Sequence, residues 1–480
     1  MSTTTHTHRG ALPRERERHP AVVLAVLLMA PFLAQADATI ANVATPAIGS
    51  DLGASGAALE LVIGGYLVAY AVLLITGARL GQTHGYKRLF LIGVSAFGAA
   101  SLIGGLAPNA TVLVIMRVIQ GAAAAMMYPQ ALTGVQMNFS GDDRARAIGF
   151  FAIALASGAV IGQILGGVLI SADIAGTGWR PIFLINVPIC LAVVAAAVRY
   201  LPPDDEHRTN DIDLRGVAAL SASVLLVIVP LIVGRSEGWP VWSWVALAAS
   251  VPAFAVFLAT QRAAAASDRN PLVNVAVIAR RSISLGLLAL LTATGTYYAL
   301  LFTLAQYFQS GLARSALASG LILVPWVAAF GVAGQVARRL PPRVAVHLPV
   351  VGYLLLATAY VAIAAALFAG HPPDVVLGAL LALGGFGLGT GFATMIGHLT
   401  SSVPTRYAPD ISGVSTTVLQ IGGAIGVAGF GSLYLGEAAG GGAGPARHAF
   451  ALTCLVLGAT ALVAACAAGL SMRSGTASAQ

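Results

Sequence analysis

The sequence predicts an all-α integral membrane protein with fourteen membrane-crossing helices, and three observations lead there. Of its 480 residues, 58% are hydrophobic and 9% are charged, against roughly 25% charged in an average soluble domain. Fourteen segments approach the ~20 mostly apolar residues that a helix needs to cross the hydrocarbon core. Lysine and arginine fall in alternate connections. With the N-terminus inside, 21 lie in inside segments, four (Arg180, Arg235, Arg314 and Arg447) in outside segments, and Arg117 within a helix. The asymmetry obeys the positive-inside rule and predicts a multi-pass protein of the cytoplasmic membrane with both termini in the cytoplasm.

Residues 1–20 mix both charge signs and precede a long apolar run with no small-residue cleavage site, which reads as a cytoplasmic tail before an uncleaved first helix. The expected spans lie near 21–43, 59–80, 89–107, 111–136, 146–171, 182–200, 215–234, 242–261, 283–309, 316–337, 347–369, 374–401, 412–436 and 447–470. GARLGQTHGYKRLFLIG (77–93) and GQVARRLPPRVAVHLPVVG (334–352) are both short basic links followed by an apolar helix. That echo predicts two six-helix halves, 21–200 and 283–470. Between them lies a linker, 201–282, with two additional helices flanked by the polar stretches 202–215 and 261–272; residues 471–480 form a second cytoplasmic tail.

Composition also excludes classes of function. The Lys+Arg excess of eight comes with no basic face or nucleic-acid motif. Cys190, Cys454 and Cys466 sit in apolar stretches without partner spacing, and His6 and His8 belong to the solvated tail, so no metal, cofactor or disulfide is expected. No G-x-x-x-x-G-K-[ST] loop is present for ATP, and no convergent set of catalytic residues marks an enzyme.

Of eighteen acidic residues, only Asp37 lies well inside an expected span. A carboxylate at the centre of a membrane helix costs roughly 2.5–3.5 kcal/mol on insertion scales, so it should face a cavity or a partner. Desolvation favours its protonated form and a nearby cation the ionised one. Asp37 therefore suits proton exchange; orienting a neighbouring helix through a hydrogen bond is the alternative. Arg117, the only basic residue inside a span, cannot titrate and would hold positive potential, pair with a carboxylate or bind carbonyls. Gly158, Gly162 and Gly166 recur every four residues, baring one helix face for close approach or sliding. Tyr66 and Tyr70, Tyr298 and Phe302, then Gln306 and Gln309, with Met126, would line a cavity for an amphipathic organic molecule. Packing or lipid contact is the other use of such residues. His398 would relay a proton or pack as a neutral ring.

Asp37, Thr39, Asn42 and Pro46 resemble the first-helix motif of the fourteen-span drug:proton antiporters of the major facilitator superfamily. Arg117, Gln120 and Gly121 resemble the fourth-helix motif, and Gly158, Gly162, Gly166 and Gly167 the fifth-helix antiporter motif. GWRPIFLINVPI (178–189) and Gln420, Gly422, Gly423 and Gly426 extend the resemblance over nearly the whole chain. It implies the major facilitator fold and export of drugs, antibiotics or natural products in exchange for protons by alternating access. It also implies the fifth-helix glycines at the interface between halves, and a monomer as the sufficient unit. A proton-coupled importer and a non-transporting receptor of the same fold are the alternatives. Departures are Gln82 and Thr83 where the second link carries an acid and a base, Gln163 in place of proline, and Leu61 in place of tryptophan. Gln82 leaves Arg117 without its usual loop carboxylate. The Ala, Gly and Arg usage fits a GC-rich bacterial genome.

Overall fold

The structure, a computed structural model, describes residues 19–54, 56–204, 213–234, 237–267, 275–403, 408–438 and 442–477. The N-terminal tail before His19, about half of the polar flanks of the two middle helices, and the last three residues lie outside the described residues, as do the side chains of Asn42 and Pro46.

Every regular element among the described residues is helical. In chain order they are α1 (Pro20–Leu52), α2 (Gly56–His84), α3 (Tyr86–Gly105), α4 (Ala110–Asn138), α5 (Gly141–Ala172), α6 (Pro181–Leu184), α7 (Asn186–Tyr200), α8 (Leu214–Val233) and α9 (Val241–Ala266). Then follow α10 (Val275–Ile278), α11 (Arg281–Gln306), α12 (Ala316–Leu321), α13 (Val324–Arg339), α14 (Pro342–Ala345), α15 (Leu348–Ala369), α16 (Asp374–Ser401), α17 (Ala408–Glu437) and α18 (Ala443–Ala477). Without water to satisfy backbone N–H and C=O groups, an apolar run must bond to itself, and the helix does so. Twelve helices among the described residues are long and apolar enough to cross a membrane. Leu61–Leu74 and Thr76–His84, bent by 49°, make a thirteenth if counted as one span, and Arg215–Leu231 is a shorter apolar helix. Ile115 and Ile119 of α4 and Trp244, Val251 and Phe254 of α9 are exposed on the outer faces, as lipid contact requires.

Helix ends follow local chemistry. The Asn109 side chain accepts from the Val112 amide at 3.0 Å to start α4, and Asp213 accepts from the Gly216 amide at 2.9 Å to start α8. A distant residue starts α3: the Asp204 carboxylate accepts from the Lys87 and Arg88 amides, each at 3.0 Å. Lys87 Nζ in turn donates to the Leu201 carbonyl at 2.6 Å, beyond the end of α7. Gly85 permits this clasp, since its φ is +94° and a Cβ there would lie 2.2 Å from the Asp204 carboxyl carbon. At the far end of α1, Asp51 accepts from Trp179 Nε1 at 2.9 Å and Arg180 Nη1 at 2.6 Å. These donors hold its exposed carboxyl below the ordinary range.

The long helices form two groups. In the first, α1 packs on α5, α2 on α4, and α3 on α4 and α7; in the second, α11 packs on α17 and α18, α13 on α16, and α15 on α16 and α18. α8 and α9 pair with each other, and α8 reaches both groups through α2 and α17. The groups meet where α5 touches α12 and α13 and where α2 touches α17. Inside the first group, α2 and α4 approach so closely that a Cβ at Gly121 would lie 2.2 Å from the Tyr66 carbonyl oxygen.

Candidate functional site

α1 carries Asp37 into the first group with 1% of its surface exposed, where it forms an ion pair with Arg117 of α4, itself fully buried. Arg117 Nη1 donates to Asp37 Oδ2 and, at 3.2 Å, to Gln120 Oε1. Its Nη2 donates to the Asp37 carbonyl at 3.4 Å and its Nε to the Val62 carbonyl at 2.8 Å. The other carboxylate oxygen, Oδ1, accepts from Asn186 Nδ2 of α7 at 3.0 Å and from Gln120 Nε2 at 3.4 Å. Both amides also donate to Ser101 Oγ of α3, at 2.7 Å from Gln120 and 3.3 Å from Asn186. The Tyr66 ring stacks on the guanidinium at 4.4 Å, while its hydroxyl donates to the Ala34 carbonyl at 2.7 Å.

Two helices, α4 and α7, thus donate to one carboxylate of α1, while α2 and α3 hold the donors in place. Burying two ions costs several kcal/mol each, and only good geometry with the remaining polar groups satisfied offsets it. Here every side chain in the cluster has a partner, and the pair leaves no net charge. Arg117 stays cationic at any relevant pH, so Asp37 is the group in the cluster that can take a proton. The resemblance left Arg117 without a loop carboxylate; its partner is Asp37, 80 positions away. Gln82 instead accepts from Arg79 at 2.8 Å.

A cavity of about 280 Å³ lies between the two groups, bounded by α4 and α5 on one side and α13, α16 and α17 on the other. Its aromatic lining comes in pairs: Tyr128 and Phe151, with ring centroids 5.5 Å apart, and Phe330 and Phe392, 6.0 Å apart. A void of about 30 Å³ continues from it, sharing Tyr128, Phe330 and Phe392 and adding Gln35, Tyr297, Tyr298 and Gln420. Gln35 Nε2 donates to the Tyr298 hydroxyl, tying α1 to α11 across the groups. Gln35 and Asp37 are two residues apart, about 200° around the helix. One face of α1 therefore meets the void while the opposite face holds the ion pair.

Tyr298 lines that void, and the other six expected cavity residues line neither space. Tyr66 lies against Arg117, and Tyr70 stands behind Tyr128, its ring centroid 5.9 Å away. Met126 packs where α4 approaches Gly77 of α2, and Phe302 where α11 meets Gly431 of α17. Gln306 accepts from Ser310 at 3.2 Å and Gln309 donates to Ser319 at 3.1 Å. His398 contacts Ser282 at 3.1 Å, joining α16 to α11.

The glycine face departs from the expectation drawn from the resemblance. Gly158, Gly162 and Gly166 press against α1 within the first group, where a Cβ at Gly162 would lie 2.3 Å from the Ala36 carbonyl oxygen. α5 meets the second group through bulkier residues instead, Ile153 against Gly331 and Ile164 against Gly320. Gly167 is buried on the same helix. Sequence reasoning missed Gln35, Ser101 and Asn186. Each is a polar residue interrupting an apolar run, the same signal that singles out Asp37.

An all-helical multi-pass membrane protein, with a cavity between two helix groups and a buried ion pair within one of them, has the build of a solute carrier. The profile of the Major Facilitator Superfamily matches residues 27–427. The chain belongs to that superfamily. It is 34% identical over 418 residues to the probable actinorhodin transporter of Streptomyces coelicolor, covering 86% of this chain and 72% of that protein. With the cephamycin export protein of Amycolatopsis lactamdurans the identity is 33% over 438 residues, 88% of this chain and 87% of the relative. With the tetracenomycin C resistance and export protein of Streptomyces glaucescens it is 30% over 439 residues, 90% and 80%.

Proposed function

We propose that the chain exports amphipathic organic compounds, antibiotics or natural products among them, across the cell membrane in exchange for protons, as a monomer with fourteen spans and cytoplasmic termini. The names of its relatives favour export over import. α8 supports the span count: its 20 residues reach about 30 Å, the thickness of the hydrocarbon core. In this reading residues 21–200 and 283–470 are the two moving halves, and 201–282 carries the two extra helices.

The observation that carries the proposal is the placement of Asp37 and Gln35 on opposite faces of α1. Protonating Asp37 removes half of the ion pair and loosens the hold of α4 and α7 on α1. Any turn or tilt of α1 that follows must disturb the Gln35–Tyr298 tie at the cavity's edge. Proton binding and the meeting of the two halves are then linked through one rigid helix, as alternating access requires.

The test uses purified protein in liposomes loaded with a pH-sensitive dye, challenged with a panel of amphipathic compounds. Wild type moves protons in response to at least one compound, and Asp37→Asn does not. Equal proton movement in the two proteins removes Asp37 from the coupling.

A further inference from the structure

Among the described residues lining the 280 Å³ cavity, none carries a charge. The one buried carboxylate among the described residues, Asp37, is committed to Arg117, Asn186 and Gln120 on the far side of α1. The aromatic pairs stand on opposite sides: Tyr128 and Phe151 come from α4 and α5, Phe330 and Phe392 from α13 and α16. Ser415 on the wall is 3% exposed, and its hydroxyl, turned away from the open space, has no hydrogen-bond partner among the described residues. A buried hydroxyl left this way costs stability unless something supplies the missing bond.

Resting on the export reading, we infer that the cavity is a slot for an uncharged, planar fused-ring aromatic compound bearing carbonyl or hydroxyl groups, and that it discriminates against organic cations. The volume lies just below the ~300–1,000 Å³ usual for small-molecule sites and suits about three fused rings. Rings presented from both sides favour a flat π-system between them, and because each helix group supplies one pair, such a ligand bridges the groups. A turn of Ser415 to another staggered rotamer brings its hydroxyl to the ligand's oxygen and gives it the bond it lacks. A cation entering this wall would shed its water for no counter-charge, with only the faces of the four rings to offset the loss.

The experiment is equilibrium binding to the purified full-length protein in lipid nanodiscs at pH 6, comparing 1,8-dihydroxyanthraquinone with N-methylacridinium, a permanent cation of the same three-ring size. The quinone binds, and the acridinium binds at least about tenfold more weakly. Phe392→Leu, which keeps an apolar side chain and removes the ring, weakens the quinone by about fivefold or more. Ser415→Ala weakens the quinone but leaves unsubstituted anthracene unchanged. Equal or tighter acridinium binding, absence of quinone binding, or quinone binding indifferent to both substitutions overturns the inference. The dye-loaded liposomes separate it from the export reading. Binding as described without proton movement overturns coupling and leaves the slot standing, whereas proton movement driven by acridinium alone overturns the slot and leaves coupled export standing.

Discussion

Asp37 and Arg117 are stable as a pair and costly apart. Removing one partner of a buried ion pair leaves an uncompensated charge, typically worth about 3–5 kcal/mol. Arg117→Met is therefore expected to lower the thermal midpoint in detergent strongly, and adding Asp37→Asn to it to recover much of the loss. Fluorescence-monitored melting of the two single variants and the double variant measures the coupling, and additive losses would show that the pair does not act as a unit. Asp51 sits in the opposite situation, on the surface with Trp179 and Arg180 as donors. Its folded pKa is lowered, so its contribution is present above the ordinary aspartate value of about 3.9 and lost as pH falls through the lower folded value. The difference in melting between wild type and Asp51→Asn should thus persist from pH 7 to about 5 and fade below about 4.

At the scale of the element, the α1–α5 contact sets how much room a side chain has. Gly162→Val must push α5 away from the Ala36 carbonyl and is expected to reduce the yield of monodisperse protein severely. Gly149→Ala, whose added carbon would find only the Gln335 amide at 3.7 Å, should leave that yield unchanged. Size-exclusion chromatography of the two variants checks both statements. Tyr298→Phe removes the hydroxyl that accepts from Gln35. It should lower melting modestly, because the buried Gln35 amide loses its partner, and change the labelling rate of a cysteine placed at Thr416 on the cavity wall, since a tie between the groups is lost. What the sequence makes legible at this scale is existence, not azimuth. Hydropathy marks a helix in lipid because the whole cylinder is apolar, but the same uniformity erases the polar-out face that orients helices in water. So the run that contains Gly162 announces a bare face without naming α1 as its neighbour. Tyr66 and Tyr70 announce a stripe without telling cavity from core. Asp37 is conspicuous because charge in an apolar span has few explanations; its pairing with Arg117 across 80 residues is a matter of tertiary packing that no local spacing encodes.

For the molecule as a whole, the basic ends of the helices and the cavity coincide. Gln136 and Ile148 of its lining flank the α4–α5 connection and the first turns of α5, which bear Arg144 and Arg146, and Ala337 precedes Arg339 at the end of α13. If the orientation is the expected one, the cavity would belong to the cytoplasmic half and this conformation would take its cargo from inside. A cysteine at Gln136 should then react with a membrane-impermeant maleimide in inverted vesicles and resist it in intact cells; the reverse pattern would invert the topology.

The Asp204 clasp on α3 bears on how such a chain is made. The amides of Lys87 and Arg88 emerge from the ribosome about 117 residues before the carboxylate that caps them. At about 5–20 residues per second that is a wait of roughly 6–23 s. Until the sixth crossing is threaded, the link between the second and third cannot settle into its final shape. The link between α2 and α3 can therefore close only after α7 has been made, while most of the second helix group is still to be translated.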